Sequence, residues 1–166
     1  MNFNLINRVG EFSPDSNEAD SKKTRLVSFT DSHNYLLMKV SIITATYNSS
    51  AHIADCVQSV TDQTYHDIEH IIVDGASKDN TLEIVKSMPS QVSKIISEPD
   101  KGIYDAMNKG IQAATGDVIG ILNSDDFYTS NDIIQSVVDS FKHNDIDALY
   151  GDVHFVSPDN LSKSVR

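Results

Sequence analysis

An α/β fold, with a mostly parallel sheet flanked by helices, is what the sequence predicts, and three observations predict it. Short β-branched runs alternate with segments whose apolar residues recur at helical spacing. The alternation begins abruptly at Met38 and continues to about Val156. Polar, chemically capable residues collect where the predicted strands end, and open parallel sheets bind ligands at those ends.

Residues 1–37 are polar, with clusters such as "SPDSNEADSKK" and no sustained period. They predict a loose, flexible extension, with residues 38–166 as the folded domain. A late natural start and a fused leader both fit the change at Met38.

The first strand is expected over Lys39 to Thr46, a β-branched run typical of a buried parallel strand. A helix follows, because Ile53, Cys56, Val57 and Val60 form one apolar stripe. Ile68 to Asp74 is the second strand. The turn "GASKDN" then leads into a short helix, with Asn80 and Glu83 spaced as a capping box. Ser93 to Pro99 is the third strand, stopped by its proline. The next helix runs from about Ile103 to Ala114, with Gly116 placed to terminate it. Asp117 to Asn123 is the fourth strand. Ile134, Val137, Val138 and Phe141 mark another amphipathic helix, and Asp147 to Val156 a fifth strand or hairpin edge.

The bulk numbers narrow the function. At 166 residues the chain is long enough for one domain with a real core and short for two. A net charge of −11 disfavours nucleic acid as a partner and leaves an anionic substrate in need of a local cation. No apolar run approaches the length of a transmembrane helix, and the opening residues lack the basic start and apolar block of a signal peptide. One cysteine, Cys56, excludes an internal disulfide or a cysteine-rich zinc site. A cytoplasmic location is expected.

At the strand ends stand Thr46, Tyr47 and Asn48, then Asp74, then Glu98 and Asp100, then Asn123, Ser124, Asp125 and Asp126. Asp125 and Asp126 are oxygen donors suited to Mg²⁺ or Mn²⁺ beside a diphosphate. They are equally intelligible as acids entering the next helix. Asp74 is placed either to receive a bond from a base or ribose, or to anchor its own turn. In "SEPDKGIYDAMNKG", Asp105 and Asn108 share a helix face and Lys101 and Lys109 offer positive charge, unless the segment is only a solvated helix start. No dinucleotide or phosphate-loop glycine motif occurs, and the histidines show no metal-ligand spacing. His52, His66 and His70 read as scattered surface residues, and Cys56 as part of the core.

Together these blocks resemble the family 2 glycosyltransferases, enzymes of the GT-A fold that use nucleotide-sugar donors. "VSIITATYN" is similar to the family's opening strand, "QTYHDIEHIIVDGASKDNT" to its second-strand block, and "EPDKGIYDAMNKGIQAATGDVIGILNSDD" to its central block through the aspartate motif. The central block is especially similar to members that build O-antigen and exopolysaccharide. The resemblance implies a Rossmann-like sheet, incomplete at the C-terminus, that binds a nucleotide-diphospho-sugar, with a UDP-sugar favoured. It implies donor contacts from Thr46, Tyr47, Asn48, Asp74, Asp105, Asn108, Asn123 and Ser124. It also implies a divalent cation, Mn²⁺ or Mg²⁺, on Asp125 with Asp126 as neighbour or second ligand. The expected reaction is inverting transfer to a polysaccharide or lipid-linked acceptor, compatible with peripheral association at the inner face of the membrane. The family's general base and acceptor part lie beyond this segment, so a catalytically inactive donor-binding fragment is the alternative. Three positions depart from the family pattern: Ala45 where proline is common, Gly75 where a second acid is common, and Asn123 in place of the first aspartate.

Overall fold

The computed structural model describes residues 3–6, 38–157 and 160–164, with side chains over 38–156. The expected flexible segment 1–37 lies outside the described residues except for 3–6. The chain divides into two compact units: Val27–Val138, and Met1–Leu26 together with Asp139–Arg166.

The first unit holds the predicted alternation. Its strands are β2 (Val40–Thr46), β3 (Ile68–Asp74), β4 (Val92–Ser97) and β5 (Val118–Ile121), and its helices are α1 (Ile53–Thr61), α2 (Thr81–Ser87) and α3 (Ile103–Ala113). Helix α4 (Ile133–His143) runs across the boundary between the units. In the second unit β1 (Phe3–Ile6) pairs antiparallel with β6 (Ala148–Gly151), and β7 (Val156–Ser157) with β8 (Asn160–Ser164). The expected fifth strand is therefore shorter than Asp147 to Val156, and its partner is β1 rather than the parallel sheet.

The four parallel strands are ordered β4-β3-β2-β5. The chain steps outward from β2 to β3 and β4, then returns across the sheet to lay β5 on the other side of β2. The direction of winding reverses between β2 and β5, which makes their carboxyl ends a topological switch point. The register aligns Thr46 with Asp74 and Asp74 with Ser97, so three strands end level with one another.

All seven residues of β2 are buried, as a β-branched run covered on both faces requires. On one face Val40 and Ile42 pack with Cys56 and Val60 of α1 and Ile134 and Val138 of α4. On the other, Ile43 and Ala45 join Ile71, Val73 and Ala106 of α3. A third group, Ile53, Val57, Ile72 and Val85, seats α1 and α2 on β3. The four-residue apolar stripe read for α1 is buried throughout.

Two details differ from the sequence reading. Helix α3 ends at Ala113, and Ala114 is already extended, so Gly116 does not terminate it. Gly116 instead lies against β2: a Cβ there would come within 2.7 Å of the Ser41 amide nitrogen. Asn80 precedes α2 but makes no side-chain cap bond, so the Asn80–Glu83 capping box is not formed.

Where α3 leaves the sheet, Glu69 clamps it. Its carboxylate accepts from Ser41 Oγ at 2.6 Å, the Thr115 amide at 2.8 Å, Thr115 Oγ1 at 3.0 Å and Lys39 Nζ at 3.4 Å. Burial opposes the charge, but these donors, Ser41 foremost, hold the carboxyl down to about 2 from 4.5. A folded-state value below the ordinary one means the clamp stabilises fully above about 4.5 and fades as pH falls towards about 2. Glu69→Gln is therefore expected to lower the urea midpoint at pH 7, with the gap from the unchanged chain closing across that acid range. Gly110 tests the other side of α3, since a Cβ there would strike Ile43 and crowd Val73. Gly110→Ala gains helix propensity yet overpacks the core, and the expected net loss in urea unfolding is about 1–2 kcal/mol.

Candidate functional site

The carboxyl ends of β2 and β5 open into two short loops that meet. Beyond β5, the Leu122 amide still bonds the Ile43 carbonyl at 3.0 Å. Ser124 Oγ then sits 2.7 Å from Ser49 Oγ, a contact that spans the switch point. Both loops are thus fixed to each other at the place where the topology predicts a ligand.

The β2–α1 loop is also stapled to the β3–α2 loop. Asn48 adopts φ 50°, a left-handed conformation that asparagine tolerates. Its amide donates to Ser77 Oγ and its Oδ1 accepts from the Lys78 amide, each at 2.8 Å. The Ser49 amide donates to Thr81 Oγ1 at 2.8 Å, and the Ser50 amide to Asp79 Oδ2 at 3.0 Å. Asp79 Oδ1 in turn accepts from the amide and hydroxyl of Thr81 at 3.1 and 2.5 Å. The Thr81 hydroxyl is the main cause holding the Asp79 carboxyl well below the usual carboxylate range. Sequence reading missed Asp79. Its signal is an acid two residues before a threonine at a helix start, one position ahead of Asn80.

Asp74 is completely buried. Its two oxygens accept from the Ser77 amide at 3.2 and 3.1 Å, and one also accepts from Ser97 Oγ at 2.7 Å. The structure thus shows Asp74 as the anchor of its own turn. Beside it, Thr46 is buried with its hydroxyl unpartnered, while Tyr47 lies exposed at the rim. Gly75 occupies a tight place, since a Cβ would fall 2.5 Å from Asp100 Oδ2 and 3.4 Å from the Tyr47 ring.

The loop from Ser97 to α3 is held by its own charges. Lys109 Nζ meets Glu98 at 2.9 Å, the Pro99 carbonyl at 2.9 Å and Asp105 at 3.6 Å. Asp105 accepts from the Lys101 amide at 3.0 Å, and Asp100 from the Gly102 amide at 2.9 Å. The Lys101 amide chiefly lowers the Asp105 carboxyl, and the Glu98 hydrogen bond chiefly raises the Lys109 ammonium. Lys109 is therefore engaged within the loop. Asn108 is exposed on α3, outside this network.

At the β5 end Asn123 Nδ2 donates to Asp126 Oδ2 at 3.1 Å, and the Asp126 amide returns a bond to the Asn123 carbonyl at 3.0 Å. Asn123 Oδ1 is buried and has no partner. Asp125 is exposed, and among the described residues its carboxylate has no hydrogen-bond or ion-pair partner. No group of three or more His, Cys, Asp or Glu among those residues is arranged to hold a metal alone.

A polar chain supports this corner from within the core. Cys56 Sγ donates to the Asn123 carbonyl at 3.4 Å, lies 3.8 Å from Thr44 Oγ1, and that hydroxyl lies 3.0 Å from His70 Nε2. Burial pushes the Cys56 thiol up to about 12 and the His70 imidazole down to about 4, so both are neutral near pH 7. His70 is fully buried, which corrects its reading as a surface histidine. It shares a strand face with Ile68 and Ile72, and that period-two pattern was the available signal.

Residues 41–166 match the family described as Glycosyl transferase family 2. The PGL/p-HBAD biosynthesis glycosyltransferase of Mycobacterium bovis (strain BCG / Pasteur 1173P2) is 36% identical over 117 residues, covering 68% of this chain and 46% of that protein. The chain thus spans under half the length of this curated relative. Among solved structures, S. aureus TarS 1-349 in complex with UDP-GlcNAc is 25% identical with a TM-score of 0.57, covering 64% of this chain and 32% of that one. The mannosyltransferase PcManGT from Pyrobaculum calidifontis, in complex with GDP-Man and Mn²⁺, is 25% identical with a TM-score of 0.56, covering 63% and 32%.

The Asp79 staple has a direct test in amide exchange. Asp79→Ala is expected to speed exchange at the Ser50 and Thr81 amides by roughly an order of magnitude, while amides within β2 keep their protection. Unchanged exchange at Ser50 would show that the loops hold together without it.

Proposed function

The chain belongs to glycosyl transferase family 2, and we propose that its Val27–Val138 unit binds the nucleotide-diphospho-sugar donor at the β2/β5 switch point. One observation carries this reading: Asp125 stands unengaged beside Asn123, whose buried amide oxygen lacks a partner. The neighbouring strand end adds the unpartnered Thr46 hydroxyl and the exposed Tyr47 ring. An aromatic face, hydroxyls and amides suit a nucleoside, while carboxylate and amide oxygens suit a hard cation beside its diphosphate.

The residues present fit Mn²⁺ or Mg²⁺. Such ions accept one or two protein oxygens and complete their shell with substrate phosphate and water, so the lack of a larger ligand cluster is no obstacle. Asp125 would hold the ion, with Asn123 and Asp126 beside it. When bound, it supplies positive charge to the departing nucleoside diphosphate. This chain's part is to orient the donor. Tyr47 and Asn48 border the nucleoside, Asn123 and Ser124 lie at the ribose and diphosphate, and Asp105 and Asn108 flank the sugar side. Asp74 contributes by fixing the turn on which Ser77 meets Asn48.

Transfer would proceed by attack of an acceptor hydroxyl on the anomeric carbon opposite the diphosphate, giving inversion. A polysaccharide or lipid-linked acceptor fits the proposal, as does a cytoplasmic setting at the membrane's inner face. No described helix is long and apolar enough to cross a membrane. None of the described residues is assigned as the general base.

Titration calorimetry of the 166-residue chain with UDP tests the reading. Mn²⁺ is expected to raise UDP affinity by roughly tenfold or more, the scale of one charge-assisted contact, and Asp125→Ala to remove that increase. UDP binding that is absent throughout, or indifferent to both metal and substitution, would overturn it.

A further inference from the structure

Asp74 is the acid expected at a base or ribose, yet it is completely buried and both its oxygens are engaged by Ser77 and Ser97. A second carboxylate reaches the next residue, Gly75, and is engaged only in part. Asp100 Oδ1 accepts from the Gly102 amide at 2.9 Å, which fixes the side chain in its turn. Oδ2 accepts from none of the described residues. It points at Gly75, where a Cβ would fall 2.5 Å from it and 3.4 Å from Cδ2 of the exposed Tyr47 ring. Gly75 thus clears the space in which an unengaged carboxylate oxygen and an aromatic ring converge on one point of the rim. Its φ lies outside the left-handed region, so backbone conformation does not account for the glycine. The half-buried Asp100 would be pushed aside by any side chain there.

We propose that Asp100, not Asp74, reads the nucleobase of the donor, and that it selects a base with an N–H at the centre of its pairing edge. The proposal rests on the donor-site reading above and deepens it. Uracil and guanine carry that proton, whereas cytosine and adenine present a bare ring nitrogen in its place. A carboxylate only accepts, so Oδ2 takes the N–H and repels a nitrogen lone pair. The Tyr47 ring supplies the flat surface along which the base lies, its edge turned to Oδ2. Holding Oδ1 on the Gly102 amide keeps Oδ2 aimed before the base arrives.

Asp100→Asn separates recognition from support of the loop. Its carbonyl oxygen can keep the Gly102 amide, which leaves an NH₂ donor where the acceptor Oδ2 stood. Titration calorimetry compares UDP with CDP and GDP with ADP, two pairs each matched in ring size. The unchanged chain is expected to bind the N–H member of its better-bound pair about 10- to 100-fold more tightly, the scale of one hydrogen bond to a charged group. The tighter of UDP and GDP then identifies the base. In Asp100→Asn that preference is expected to vanish or reverse. Gly75→Ala displaces the same oxygen from its other side, and should erase the preference with Asp100 in place. A preference that survives Asp100→Asn, even with all four ligands weakened alike, would make Asp100 a support of the loop and overturn the proposal. So would an unchanged chain that binds both members of each pair equally. Binding of none of the four by the unchanged chain would overturn the donor-site reading and the proposal with it.

Discussion

Strand β2 has hydrogen-bonded neighbours on both edges and helices over both faces, so all seven of its residues are buried. That enclosure governs the rest of the unit. Chemistry is impossible along the strand and becomes possible only where it ends, at Thr46 and Tyr47. The same enclosure makes the adjacent loops demanding, because their amides leave the ladder together and need new acceptors. Asn48, Ser77, Asp79 and Thr81 meet that need by bonding loop to loop. The rim is held together by these side chains where the ladder of the sheet stops.

Charge at this rim is distributed with the same economy. The chain is strongly acidic, yet most rim carboxylates are committed to hydrogen bonds within the loops. Asp74 and Asp79 anchor the β3–α2 turn, Asp100 and Asp105 the approach to α3, and Asp126 the turn after β5. Asp125 is the rim aspartate left over. Its isolation distinguishes it from five chemically identical neighbours better than its place in a motif does.

The fold was legible because burial writes itself directly into period. Strand β3 runs over the residues expected, and α1 buries the expected stripe, since β-branched runs and helical spacing report nothing but what is covered. The site was legible as a set of strand ends, but not as a division of labour. Asp79 reaches Ser50 across 29 residues and Ser124 reaches Ser49 across 75, and no local pattern records such pairings. Asp74 looked equally suited to ligand and to turn, and only three-dimensional neighbours show both its oxygens engaged. The capping box failed for a related reason: Asn80 had the right spacing, but Asp79 could satisfy Thr81 and a second loop at once.

The double duty of Asp79 reaches into how this region can change over time. Ser50 and Thr81 belong to different loops, yet each depends on one carboxylate for its amide. Substitutions on the two loops will therefore not combine additively. A lengthened or repositioned β3–α2 loop is acceptable only if the β2–α1 loop changes with it. The two segments act as one unit, and a graft of either loop would have to carry the other.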